Sequence, residues 1–200
     1  MRLFMSHASP FARKVRIAAI ERGLEGAIEC LTFNPHDRAP ELLAANPLGK
    51  IPVLVADDGS AYCDSLAICI HLDTLGDAPP LVPLGGAYGM AVLQRHVQAD
   101  GLLNAAVTRR VESLKSAVPD RVEWMERQRQ TVHRVLDRFE HTVDALGDVL
   151  AIDAITLGCA LGYLDFRFPD DDWRAGRPRL SAWLASFETR PSMVATRHPS

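Results

Sequence analysis

The chain is 200 residues long, 48% hydrophobic, and its 22 basic and 25 acidic residues leave a net charge of -3. That length buries a real core as one large domain or two small ones, and the even mixture of charge argues against a nucleic-acid face or a polybasic membrane-surface tract. No stretch approaches the roughly 18 apolar residues of a membrane span, the start lacks the charged-then-apolar order of a secretory signal, and four scattered cysteines without a CxxC read as reduced thiols, which together favour the cytoplasm.

Arg2 to Met5 reads as a strand, Pro10 to Arg22 as a helix stopped by Gly23, and Ala27 to Phe33 as a second strand. Asp37 to Ala45 is a short helix with weak periodicity. Pro52 to Ala56 and Ala61 to Cys63 are strands joined by the Asp58-Gly59 turn, and Ser65 to Leu75 is a helix. A βαβ unit followed by a ββα unit is the thioredoxin-like arrangement, so the fold class is α/β followed by all-α. Strand signals end near Gly76. Gly76 to Gly86 is rich in proline and glycine, and Pro79-Pro80 offers no amide to continue a helix. The expected division is residues 1–76 as the first domain, 77–86 as linker and 87–200 as an all-helical bundle.

Within the bundle, Tyr88 to Leu114 is expected as one long helix with Leu93, Val97, Asp100, Asn104, Val107 and Val111 on a single stripe. Breaks near Pro119, Gly147 and Pro169 to Pro178 separate further helices. Ile152 to Phe166 is apolar nearly all round and belongs at the bundle centre.

Three short segments carry residues suited to chemistry. Ser9-Pro10 is a helix start, since serine accepts from the open amides of the first turn and proline loses nothing at the first helical position. Arg13, Lys14 and Arg16 follow it, and the reading of these cations is a solvated face. Pro52 suits the start of a strand rather than its middle. Asp64-Ser65 is a second helix start made of an acid and a hydroxyl.

These segments, in order, resemble the glutathione transferase family over essentially the full length. The matching stretches are Ser9-Pro10-Phe11-Ala12-Arg13-Lys14-Val15-Arg16, Asn46-Pro47-Leu48-Gly49-Lys50-Ile51-Pro52-Val53-Leu54, Asp64-Ser65, Leu157 to Arg167, Trp183 and Arg190-Pro191-Ser192. The resemblance implies that Ser9 is catalytic, its hydroxyl donating to the glutathione sulfur while the helix start adds positive potential. It also implies a cis peptide before Pro52 that exposes the Ile51 backbone to the cysteinyl part of glutathione. Asp64 and Ser65 then meet the γ-glutamyl ammonium and carboxylate, Phe11 and Lys50 complete the glutathione site, and Asp100 reaches the γ-glutamyl ammonium across a homodimer interface.

The implied activity is conjugation of the glutathione thiolate to a small electrophile, with glutathione as co-substrate. Peroxide reduction on the same site and a non-catalytic interaction protein on the same scaffold are the alternatives. Two departures matter. Ser9-Pro10-Phe11-Ala12 stands where a dithiol oxidoreductase would carry CxxC, which argues against thiol-disulfide cycling. Ala151 and Ala154 stand where the family usually has a capping box, with Asp153 displaced by one. The seven histidines show no ligand spacing, so no metal is expected.

Overall fold

The computed structural model describes residues 1–199. Along the chain run β1 (Arg2–Met5), α1 (Pro10–Glu21), β2 (Glu29–Thr32), α2 (Pro40–Ala45), β3 (Val53–Val55), β4 (Ala61–Cys63) and α3 (Ser65–Asp73). The helices α4 (Gly86–Ser113), α5 (Pro119–Thr142), α6 (Ile152–Arg167), α7 (Pro178–Phe187) and α8 (Pro191–Ala195) follow. The chain divides into two compact units, Met1–Pro83 with the segment from Pro191 onward, and Leu84–Arg190.

In the first unit the sheet order is β2-β1-β3-β4, with β1 parallel to β2 and antiparallel to β3, and β3 antiparallel to β4. β1 is central, so Leu3, Phe4 and Met5 are all buried. Phe4 shares a core with Leu42, Val53 and Val55, and its ring lies 4.5 Å from that of Phe33. β2 is an edge strand with most residues exposed, and it is shorter than Ala27 to Phe33 because Ala27 belongs to a single 3-10 turn. The helix expected over Asp37 to Ala45 is also divided. Pro40 has no amide and forces Ala39 out of the helical region, to ψ 131°, so α2 begins only at Pro40.

The segment after α3 is tied back to α1 by the buried Arg22. Its guanidinium donates to the carbonyls of Asp73 and Gly76 and pairs with the Asp73 carboxylate, which in turn accepts from the amides of Leu81 and Val82. The last helix returns to this unit as well. Arg13 donates to the Met193 carbonyl and Thr196 hydroxyl, and Ser192 donates to Glu21. The expected helical domain of residues 87–200 is therefore shorter, because its tail completes the first unit by pairing with polar groups of α1.

The second unit is helical. α6 is buried from Ile152 through Leu164 and packs with α4, which also packs with α5. The buried face of α4 is Val92, His96, Ala99, Leu102, Leu103, Ala105 and Ala106, whereas Val97 and Asn104 are exposed. The expected stripe through Leu93, Val97 and Asn104 is thus not the packed face. The packed face carries Leu102 and Leu103 with the alanines, and its one polar side chain, His96, lies 2.9 Å from the Thr156 hydroxyl of α6, whereas the expected stripe carries Asp100 and Asn104, which bond to each other.

The missing capping box of α6 is replaced by an ion pair. Ala151 caps with no side chain, but Asp153, 0% exposed, accepts from the Ala154 amide at 2.9 Å and from Arg95 Nε at 2.7 Å. Burial raises the Asp153 carboxyl above its ordinary value, and the Arg95 bond offsets part of the rise. No described helix is long and apolar enough to cross a membrane.

Candidate functional site

The register of the sheet brings three of the expected segments together. Phe4 pairs with Val53 and Val53 pairs with Cys63, both antiparallel. The C-terminal end of β1, the N-terminal end of β3 and the C-terminal end of β4 therefore lie at one end of the sheet. The β1–α1 loop with Ser9, the turn with Ile51 and Pro52, and the start of α3 at Asp64 and Ser65 all emerge there.

Ser9 is the N-cap of α1. Its hydroxyl oxygen accepts from the Ala12 amide at 3.2 Å, and its own amide donates to the Ser6 carbonyl. A hydroxyl has one proton and two lone pairs. Capping uses a lone pair only, so the Ser9 proton stays available as a donor at the positive end of a 12-residue helix. The capping and donor readings of this serine are compatible.

The Ile51-Pro52 peptide is cis. The loop before it is held by Asn46, which is buried: its Nδ2 donates to the Lys50 carbonyl at 2.8 Å and its Oδ1 accepts from the Leu48 amide at 3.1 Å. Gly49 supplies the left-handed residue, φ +62°, that this turn needs. Lys50 is held through its backbone and its side chain is exposed, while Ile51 is half-buried.

Asp64 and Ser65 open α3 with different roles. Asp64 caps the helix by accepting from the Leu66 amide at 2.8 Å. It does so at φ +71°, ψ 130°, a sparsely populated conformation for a residue with a Cβ, which costs on the order of 1–3 kcal/mol. Such strain persists where the surroundings over-determine it, and it holds the exposed carboxylate at the mouth of the helix start. Ser65 is buried, and its hydroxyl accepts from Lys14 Nζ at 3.0 Å.

Lys14 corrects the expectation of a solvated face. It is 0% exposed and Arg13 is 3% exposed. Lys14 Nζ lies 5.6 Å from the centroid of the Phe11 ring, one turn earlier on the same helix. Phe11, half-buried, thereby flanks the buried cation. A signal for this existed in the sequence: Ile17 and Ala18, three and four residues on, place Lys14 on an apolar face, where a lone cation needs a partner. Asn46 had no comparable signal, since an Asn-Pro pair reads equally as an exposed turn.

The remaining expected residue, Asp100, belongs to the second unit. It lies half-buried on α4, and Asn104 Nδ2 donates to its carbonyl and to its carboxylate, both at 2.8 Å. Ser9, Phe11, Lys50, Ile51, Pro52, Asp64 and Ser65 all belong to the first unit. Among the described residues no group of three or more histidines, cysteines or acids is placed to hold a metal ion.

Comparison with known proteins gives consistent matches. The family model for "Glutathione S-transferase, N-terminal domain" matches residues 8–75, and that for "Glutathione S-transferase, C-terminal domain" matches residues 122–186. The "Uncharacterized GST-like protein YibF" of Escherichia coli is 31% identical over 202 residues, covering 100% of this chain and 99% of that protein. A glutathione transferase family member from Pseudomonas fluorescens, solved with bound glutathione, is 37% identical with a TM-score of 0.93, covering 100% of this chain and 99% of that one. A second structure from that organism, with bound S-(propanoic acid)-glutathione, is 37% identical with a TM-score of 0.89, covering 100% of both chains.

Proposed function

Because this chain belongs to the glutathione S-transferase family, we propose that it binds glutathione at the end of its four-stranded sheet and transfers the thiolate to a small electrophile. The observation that carries the reading is Ser9, a helix-capping hydroxyl whose proton is left to donate. A thiol near pKa ~8.5 needs a drop of about 1.5 units, or about 2 kcal/mol, to be half ionised at neutral pH. One hydrogen bond to a charged group contributes roughly 1.5–3 kcal/mol and a helix terminus about 0.3–1 more. No separate general base is required.

The dimensions support a tripeptide. Two strand spacings separate β1 from β4, about 10 Å, and three extended residues span about the same length. The thiolate lies at Ser9, the cysteinyl backbone pairs with Ile51 beside Pro52, and the γ-glutamyl end meets Asp64 and Ser65, with Phe11 and Lys50 flanking. The thiolate attacks the electrophilic carbon, a carbon–sulfur bond forms, and the displaced pair leaves with the departing group. The S-substituted glutathione bound by the Pseudomonas fluorescens relative favours transfer over peroxide reduction. The protein works in the cytoplasm as a homodimer, with Asp100 adding to the γ-glutamyl contacts of the neighbouring copy.

Retention on immobilised glutathione at low salt, with elution by free glutathione and turnover of a small electrophile, is the expected result. A protein that flows through such a column and conjugates nothing would be a scaffold, and the reading would fail.

A further inference from the structure

Burying an ammonium in the first turns of a helix is doubly unfavourable, because the group loses its hydration and lies near the positive end of the dipole. Lys14 does both. Its neighbour Arg13 is used to hold the Met193 carbonyl and the Thr196 hydroxyl, a plain structural role. Lys14 instead aims at Ser65, whose hydroxyl accepts from Nζ at 3.0 Å while both side chains are buried.

That bond decides what Ser65 can offer. An ammonium only donates, so one lone pair of Ser65 Oγ is occupied and its proton is turned away from Nζ. At the same helix start the Leu66 amide is already used by Asp64. The hydroxyl proton of Ser65 is therefore a directed donor, polarised by a cation behind it, as charge-assisted bonds are strengthened where water is excluded.

We propose that Lys14 is a positioning residue for the γ-glutamyl carboxylate. It acts through Ser65, orienting that hydroxyl as a donor and supplying a fixed positive charge behind the carboxylate. The inference rests on the glutathione reading above. Phe11 assists by flanking the cation, 5.6 Å from its ring centroid.

The test uses the full chain and two ligands: glutathione, and 4-aminobutyryl-cysteinyl-glycine, which keeps the ammonium and lacks the α-carboxylate. Titration calorimetry should show Lys14→Met weakening glutathione about tenfold or more, the size of one charge-assisted bond, with the analogue's affinity almost unchanged. Lys14→Arg should recover part of the loss. In a Ser65→Ala background Lys14→Met should add less than it does alone, and the kinetic loss should appear in KM for glutathione rather than in kcat. If Lys14→Met does not fold, Lys14→Gln removes the charge at similar length and the same comparison applies.

Equal weakening of both ligands would make Lys14 a packing residue and overturn the inference, as would unchanged binding of both. Those outcomes leave the glutathione reading standing if the wild type binds glutathione. A wild type that binds neither ligand overturns the reading and this inference together.

Discussion

Replacing Ser9 by alanine removes two interactions at once, and the structure allows them to be separated. The first is the cap on α1, the 3.2 Å bond from the Ala12 amide. Losing it costs about 1 kcal/mol, which for a chain of this length lowers Tm by about 2–4 °C. The second is the bond from the Ser9 proton to the glutathione sulfur. Without it the bound thiol should rise by ~1–2 pKa units while the γ-glutamyl and cysteinyl contacts remain. Glutathione should still bind, and conjugation near pH 7 should fall roughly tenfold or more. The deficit should shrink toward pH ~9, where glutathione ionises unaided. Ser9→Gly isolates the second effect, because glycine caps almost as well as serine, within a few tenths of a kcal/mol. It should lose activity like the alanine variant while melting close to wild type. The assay is a pH profile of turnover at saturating glutathione beside thermal unfolding of both variants. An alanine variant that keeps full activity and an unchanged profile would refute the serine mechanism. The donor would then be sought at Ser6 or His7, which share the β1–α1 loop.

Asp64→Ala should raise KM for glutathione about tenfold with kcat little changed, since a contact far from the sulfur is nearly equal in ground and transition states. Initial rates across glutathione concentrations check this, and a fallen kcat with constant KM would contradict it. Asp153→Asn should destabilise the second unit by putting a buried amide donor where one of the two carboxylate oxygens accepts from Arg95 or the Ala154 amide. Its pH dependence has a definite sign. Burial holds the folded Asp153 carboxyl above the unfolded value, so the folded state binds that proton more tightly. The stability gap between wild type and Asp153→Asn should therefore widen as pH falls through the raised folded pKa, then level off below about pH 3.9. Unfolding by urea at several pH values measures it, and a gap that narrows toward acid would overturn the assignment. Sedimentation should find a species of twice the 22.0 kDa chain. A lone monomer at micromolar concentration would remove the dimer and the role given to Asp100 across it.

The order of strands and helices in the first unit, the two helix starts and the long central α6 were all legible in the order of residues, because each depends on local rules. β1 and β4 have the expected bounds, and Ser9 caps as a serine before proline should. The cis peptide at Pro52 followed from resemblance, not from local preference, which favours trans.

Which partner each buried cation takes was decided only by tertiary structure. Arg13, Lys14 and Arg16 are alike as a run of charge, but the fold turns Lys14 toward Ser65, 51 positions away, and Arg13 toward Thr196, 183 positions away. No local pattern encodes partners at such separations. The same holds for Asn46, an unremarkable turn residue until the loop closes on it, and for Asp153, whose displacement from the usual cap position is compensated by Arg95, 58 residues away. The face that α4 buries differs from the expected stripe for a related reason. The expected stripe runs through Asp100 and Asn104, which bond to each other, while the buried face places its one polar side chain, His96, against Thr156, a partner 60 positions away on α6. Local sequence set where the elements begin and what each end of the sheet could offer; long-range packing chose the partners that orient those groups, because a polar side chain taken from water must find its hydrogen bonds wherever the fold brings them.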